Sequence, residues 1–302
     1  RVNPSQVSCS RSAQPNLEKE LVEHMRASIL LLGPLLARCG EARFPYPGGC
    51  VLGKRSIHAH IHALSALGAE LVESNDEIHM RTDGLKPAKI IMSEASVTAT
   101  ENALMAAVLI KGETEIRWAA MEPHVQDLCK FLVAMGAEID GIGSHTLLVH
   151  GGRPLKGAMH TVTPDYLEAG TLTLAAVLTN GEVTLKNCPV EQLDSFWQKL
   201  EEVGAKFELG KNEVKIVHHN GLRAVEKLQT AVYPGFPTDL QAPFAVLLTQ
   251  CEGETRIYET LFEGRLSYLA ELQRMGAHTE IQNEHEALVR GPTPLKAVPI
   301  KS

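Results

Sequence analysis

The chain has six cysteines, Cys9, Cys39, Cys50, Cys129, Cys188 and Cys251, and no two of them form a CxxC pair. In 302 residues, that usage excludes a disulfide-stapled small fold and reads as the reduced thiols of a cytosolic protein. Long apolar runs are also lacking. The longest, Ala27 to Ala37, is broken by Gly33 and Pro34 and falls well short of the roughly 18 residues a membrane span needs. Positive charge is in deficit: 29 Lys and Arg face 36 Asp and Glu, for a formal charge of -7. A nucleic-acid partner is therefore excluded as a first reading, because there is no surplus of cations to grip a phosphate backbone. The first 22 residues carry neither a signal-peptide core nor a clear periodicity, and residue 1 is Arg, so further sequence upstream is expected. The sequence predicts a soluble, cytoplasmic protein with no membrane insertion.

What is present is enough apolar material for a sizeable core, at 44% hydrophobic and 22% charged residues. At roughly 100–200 residues per domain, the length suggests two domains. A fixed period then organises the chain. A Gly-Ala pair ends an amphipathic segment at Gly68, Gly136, Gly204 and Gly276. A Gly-Glu pair closes an apolar segment at Gly40, Gly112, Gly181 and Gly253. A Leu-Lys or Leu-Arg pair ends each copy at Leu85, Leu155, Leu222 and Leu295. Three markers recur in one order, four times.

Each copy reads as α-β-α-β-β. A helix apolar almost all round comes first, as in Glu101 to Ile110, Ala169 to Thr179 or Ala242 to Leu248, and such helices belong inside a core. Glycine supplies its left-handed cap. A short strand follows, then a one-sided helix such as Asp194 to Val203 or Leu266 to Met275, then a hairpin such as Lys206 to Leu209 with Glu213 to His218. The buried helices must be covered by the sheets.

Two segments are rich in chemistry. Phe44 to His62, FPYPGGCVLGKRSIHAHIH, opens as an exposed Pro- and Gly-rich loop holding Cys50 near Lys54 and Arg55. A thiol there is either activated by its cationic neighbours or a loop cysteine with no task. Cys129 and Cys251, by contrast, read as buried small hydrophobes. Gly48 to Lys54 fits G-x-x-x-x-G-K, yet Arg55 stands where a nucleotide-binding P-loop needs Ser or Thr. If Ser56 opens a helix, His58 and His62 share a face and His60 points away, which suits a solvated helix face better than a metal site.

The second segment, Tyr233 to Phe244, YPGFPTDLQAPF, bends just before an apolar helix. Asp239 lies at that helix's start, as an N-cap shared with Thr238 or as a base for a substrate hydroxyl. Arg26 opens RASILLLGPLL, which reads as a helix, and Arg265 lies in the loop FEGR. Each is a surface charge or a fork for phosphate or carboxylate.

Together MRASILLLGPLLARCG, PGGCVLGKR, SVTATENALMAA, EPHVQDL, FPTDLQAPF and LFEGRL resemble, in order, segments of the enolpyruvyl transferases, from about Glu20 to the end of the chain. The cysteine loop favours the branch whose acceptor is UDP-N-acetylglucosamine over the branch that makes 5-enolpyruvylshikimate 3-phosphate. The resemblance implies an α/β fold of inside-out barrels built from repeated α-β-α-β-β units in two domains that close on substrate. It implies an atypical segment 1–22, a first domain 23–162 and a second domain 163–302, with four of the family's six units represented and the first and sixth not.

It further implies transfer of the enolpyruvyl group of phosphoenolpyruvate to the 3-hydroxyl of UDP-N-acetylglucosamine, the first committed step of peptidoglycan synthesis, with no cofactor and no metal. By motif, Cys50 donates the proton to the phosphoenolpyruvate methylene and is the target of fosfomycin, Asp239 takes the sugar hydroxyl's proton, and Arg265 faces the phosphoenolpyruvate carboxylate. Arg26, Arg55, Ser56, Ile57, His58, Ala59, Ser96, Val97 and Leu261 match nucleotide-sugar contacts. Glu94 stands where the family commonly has a basic residue and His58 where it has an acidic one. Two alternatives stand beside this reading: a catalytically inactive relative that binds nucleotide sugar or serves as a scaffold, and an unrelated nucleotide-binding enzyme using Gly48 to Lys54.

Overall fold

A computed structural model describes residues 17–46, 57–72 and 77–299. These divide into two compact units, with the boundary between His160 and Thr161.

In the first unit, helix α1 (Lys19–His24) and a 3-10 segment (Arg26–Leu31) lead into α2 (Leu32–Cys39), β1 (Glu41–Pro45), α3 (His58–Ala66) and the strands β2 (Glu70–Leu71) and β3 (Glu77–Arg81). A second copy follows as β4 (Lys89–Ile91), α4 (Val97–Ala107), β5 (Gly112–Arg117), α5 (Pro123–Ala134), β6 (Glu138–Asp140) and β7 (Thr146–Gly151). The second unit repeats the order with α6 (Tyr166–Leu178), β8 (Val183–Lys186), α7 (Asp194–Glu202), β9 (Lys206–Leu209) and β10 (Glu213–Val217). Its other copy runs β11 (Lys227–Gln229), α8 (Thr238–Leu248), β12 (Gly253–Tyr258), α9 (Tyr268–Arg274), β13 (His278–Asn283) and β14 (Glu286–Gly291).

The α-β-α-β-β unit read from the period is therefore observed four times. In every copy the last strand lies between the other two, giving β1-β3-β2, β4-β5-β7-β6, β8-β10-β9 and β11-β12-β14-β13. All pairings within these cores are antiparallel. The periodic reading did not anticipate β4 and β11, which join β5 and β12 in parallel and give the second and fourth copies a fourth strand.

Two of the three markers now have physical causes; the glycine of the Gly-Glu pair caps its apolar helix only at Gly40, whereas Gly112 and Gly253 open β5 and β12. The one-sided helices end in a left-handed glycine, with φ of 96, 108, 87 and 100 at Gly68, Gly136, Gly204 and Gly276, a backbone region costly for residues with a Cβ. The following alanine N–H reaches back to the helix, Ala69 to Leu64 O at 3.1 Å and Ala277 to Leu272 O at 2.9 Å, which is the Schellman closure. The residue before each of these glycines then accepts the N–H of the basic residue in the third marker. Lys86 reaches Leu67, Lys156 reaches Met135 and Lys296 reaches Met275, each at 2.8 Å, and Arg223 reaches Val203 at 3.0 Å. The Leu-Lys pair is thus the clasp that returns the hairpin's exit to the end of the helix.

In each unit the apolar helices lie inside and the sheets outside. Helices α2 and α4 are buried in one core, α6 and α8 in the other. Helices α2 and α4 pack so closely that a Cβ on Gly33 would lie 2.3 Å from the carbonyl oxygen of Asn102.

Several boundaries differ from expectation. RASILLLGPLL is not one helix, because Pro34 has no N–H and the α-helical part starts only at Leu32. Helix α4 begins four residues before Glu101, at Val97. Helix α6 is not enclosed all round: Leu172 and Leu178, with Thr171 and Ala175, are exposed, because no described element covers that stripe. Val22 is buried in the first core, so a stretch that shows no sequence periodicity contributes to it.

Candidate functional site

The FPTD segment enters α8 with Pro237 as the residue before the helix, Thr238 and Asp239 being its first two helical positions. Neither Thr238 nor Asp239 caps the helix. The Thr238 hydroxyl instead donates to Glu259 Oε2 at 2.7 Å. Asp239 accepts a hydrogen bond from Arg265 Nη2. Its side chain is 53% exposed, whereas that of Arg265 is 12% exposed, so the carboxylate is open to solvent and the cation largely sheltered.

Arg265 begins a 3-10 turn after the left-handed Gly264, and its guanidinium lies 5.3 Å from the ring centre of Phe262, a cation–π contact. Leu261 is half-buried, and its N–H donates to Glu259 Oε1 at 2.9 Å. Asp239 of α8 is thus brought together in the second unit with Leu261 and Arg265 of the loop that follows β12. Tyr268 closes the group by donating to Gln241 Oε1 at 2.7 Å. Burial raises its phenol pKa, and Glu259 raises it further, while Arg265 pulls the other way.

In the first unit a buried polar network joins the segments that carry other candidates. Asn102 of α4 donates through Nδ2 to Ile29 O at 2.8 Å and to His60 Nδ1 at 2.9 Å, and its Oδ1 accepts Gly33 N–H at 2.7 Å. With Nδ1 accepting, the His60 proton sits on Nε2 and faces Thr98 Oγ1 at 3.1 Å. His60 is 2% exposed, and burial, aided by the positive charge of Arg26, lowers its pKa to about 4. It is a neutral core imidazole, which corrects the solvated reading for that one position. His58 and His62 lie on the exposed face, with ring centres 6.2 Å apart.

The network holds three chain segments against one another. Arg26, half-buried, opens the 3-10 segment. Ile57 precedes α3, its carbonyl taking the N–H of His60 and of Ile61 at 3.1 Å each. Ser96 precedes α4 and Val97 begins it, both half-buried. Ala59 is buried, at 3% exposure. Cys50, Lys54, Arg55 and Ser56 lie outside the described residues.

Cys129 and Cys251 are buried as the sequence suggests, and burial pushes both thiols up to about 12. Among the described residues no cluster of metal-ligating side chains occurs, and no helix is long and apolar enough to cross a membrane.

Glu259, Gln241, His60 and Asn102 were not singled out as functional from the sequence. A signal existed for Glu259: it continues the buried phase of Thr255 and Ile257 along β12, and a carboxylate on a core phase needs partners.

Repeated α-β-α-β-β units with apolar helices inside and sheets outside define the fold of each unit. The chain matches the family described as EPSP synthase (3-phosphoshikimate 1-carboxyvinyltransferase) over residues 3–302 and belongs to it, and this is a family of carboxyvinyl-transferring enzymes. It is 44% identical over 292 residues to UDP-N-acetylglucosamine 1-carboxyvinyltransferase of Koribacter versatilis, covering 97% of this chain and 67% of that protein. It is 42% identical to the protein of the same name from Acidobacterium capsulatum, with the same coverages of 97% and 67%. Among solved structures it is similar to the enolpyruvyl transferase NikO of Streptomyces tendae, with TM-score 0.81, 24% identity and coverage of 93% and 67%. An EPSP synthase of Acinetobacter baumannii is more distant, with TM-score 0.65, 19% identity and coverage of 89% and 64%. The chain spans about two thirds of the length of these relatives.

Proposed function

We propose that this protein transfers the enolpyruvyl group of phosphoenolpyruvate to the 3-hydroxyl of UDP-N-acetylglucosamine, releasing phosphate, as a cytoplasmic step of peptidoglycan synthesis. The observation that carries the reading is identity above 40% with relatives named for that carboxyvinyl transfer, extending over 97% of the chain. The solvent-open Asp239 carboxylate beside the sheltered Arg265 guanidinium supports it, pairing a candidate base with a fork for an anionic substrate.

In this reading the sugar hydroxyl adds to C2 of phosphoenolpyruvate. Asp239 removes the hydroxyl proton, and Cys50 delivers a proton to the methylene carbon. Phosphate then leaves as the methyl group gives up a proton, restoring the double bond. Arg265 has more donors than Asp239 alone can use, and its fork suits the carboxylate of phosphoenolpyruvate. Arg26, Arg55, Ser56, Ile57, His58, Ala59, Ser96, Val97 and Leu261 bind the nucleotide sugar. A multiply anionic substrate pair calls for such preorganised cations and N–H donors.

The test is phosphate release from phosphoenolpyruvate and UDP-N-acetylglucosamine, beside a Cys50→Ser variant. Turnover that depends on both substrates and falls in the variant supports the assignment. Binding of UDP-N-acetylglucosamine without turnover would instead select the inactive-relative reading. Fosfomycin labelling of a cysteine other than Cys50 would contradict the assignment of the reactive thiol.

A further inference from the structure

Glu259 directly follows β12 and is wholly buried, at 0% exposure. Its two oxygens accept four hydrogen bonds, which fills the lone-pair sites of a carboxylate. Oε2 takes the Thr238 hydroxyl at 2.7 Å and the Gln241 amide at 3.2 Å, both from the first turn of α8. Oε1 takes the backbone N–H of Leu261 at 2.9 Å and of Phe262 at 3.2 Å, both from the loop that leads to Arg265.

The division is the informative part. One oxygen holds the helix turn that carries Asp239, and the other holds the loop that carries Leu261 and Arg265. The Asp239–Arg265 pair joins the same two segments a second time, and the contact of Arg265 with Phe262 ties that guanidinium to the anchored part of the loop. Tyr268 braces Gln241 from the far side. A buried carboxylate whose four partners are all neutral donors is an expensive core element, and an apolar side chain of similar volume would fill the space at lower desolvation cost. What an apolar side chain would not supply is the two-sided tether.

We propose that Glu259 is a positioning residue, a clamp that fixes the start of α8 against the 260–265 loop and so sets Asp239, Leu261 and Arg265 in the relative geometry that the transfer needs. The proposal rests on the reaction assigned above. Misplacing a reacting group by about 1 Å costs on the order of 100-fold in rate, so a clamp of this kind is expected to appear in kcat rather than in ground-state binding.

The experiment uses the whole chain with Glu259→Gln and Thr238→Val, singly and together. Glutamine keeps the volume and one acceptor oxygen. With that oxygen on the loop, its N–H2 can still donate to the Thr238 hydroxyl oxygen but meets the Gln241 amide donor against donor, so the helix-side hold is weakened. Thr238→Val removes the helix-side hydroxyl without touching Glu259. Thermal unfolding, kcat and KM, and amide hydrogen exchange at Leu261 and Phe262 are measured. The expected result for Glu259→Gln is a folded protein, kcat lower by about 10- to 100-fold, KM for the nucleotide sugar within about threefold, and faster exchange at Leu261 and Phe262. Thr238→Val is expected to add little on top of it, because the two act through one contact. Unchanged kcat, or a loss confined to KM, overturns the proposal. If the wild-type chain shows neither turnover nor nucleotide-sugar binding, the transfer reading falls; faster exchange in Glu259→Gln then still upholds the clamp, and unchanged exchange overturns it.

Discussion

The side-chain oxygen of Asn102 accepts the backbone N–H of Gly33 at 2.7 Å, across 69 residues of sequence. The same amide donates to Ile29 O, so one side chain of α4 satisfies a carbonyl and an N–H where the 3-10 segment gives way to α2. Replacing it leaves the Gly33 N–H and His60 Nδ1 without that partner, while Ile29 O keeps the N–H of Leu32. With each unmet buried group costing about 1–3 kcal/mol, Asn102→Ala is expected to destabilise the first unit by roughly 3 kcal/mol or more. Urea unfolding with an unchanged m-value and a lowered midpoint would show it.

The same core holds two titrating groups of opposite sign. Burial, reinforced by Glu122, raises the pKa of Glu101 from 4.5 to about 7. The folded state therefore holds a proton that the unfolded state has lost, and stability contributed by Glu101 falls as pH rises from 4.5 to 7. His60 is lowered from 6.5 to about 4. Here the unfolded state binds the extra proton, so stability contributed by His60 rises with pH from about 4 to 6.5. Each effect is on the order of 3 kcal/mol, and they oppose one another over most of their range. Glu101→Gln is expected to leave stability at pH 4.5 nearly unchanged and to raise it at pH 8. Chemical denaturation at a series of pH values checks this; equal effects at both ends would contradict it.

Asp239→Asn is expected to lower kcat by about 100-fold or more, with the thermal midpoint close to wild type, since an amide of the same shape cannot take the hydroxyl proton. The paired group behaves differently. Arg265→Lys keeps the charge but not the planar fork, so its expected loss falls mainly on KM for phosphoenolpyruvate. Steady-state kinetics in each substrate separately distinguish the two outcomes.

Thiol reactivity separates the cysteines. With thiols at about 12, Cys129 and Cys251 carry almost no thiolate near neutral pH. Iodoacetamide at pH 7.5 is expected to modify Cys50 in the native protein and to reach Cys129 and Cys251 only after unfolding. Peptide mapping by mass spectrometry reads this directly.

How much of this was legible in the sequence follows from what each signal is made of. The α-β-α-β-β unit was readable because its punctuation is local: left-handed glycines at Gly68, Gly136, Gly204 and Gly276 leave a mark no other residue replaces cheaply. The third copy shows the limit, since Asn180 rather than Gly181 takes the positive φ, at 49. The added strands β4 and β11 were not readable, because a three-residue parallel edge carries no periodicity of its own. Asp239 and Arg265 could be named from FPTD and FEGR, but their pairing could not, because it depends on how α8 and the 260–265 loop are set against each other. Glu259 and Asn102, which do that setting in their respective units, looked like ordinary polar residues beside apolar runs. Apart from Leu261 and Phe262, two and three residues after Glu259, their partners lie 18 to 73 residues away, and no local pattern reports a long-range hydrogen bond.

The central claim is enolpyruvyl transfer to UDP-N-acetylglucosamine, and its most direct test is mass-spectrometric detection of the product. Incubation of the purified chain with phosphoenolpyruvate and UDP-N-acetylglucosamine is expected to yield the 3-enolpyruvyl ether together with one equivalent of phosphate, both abolished by Asp239→Asn. Formation of no ether by a folded chain that has been shown to bind both substrates would contradict the account.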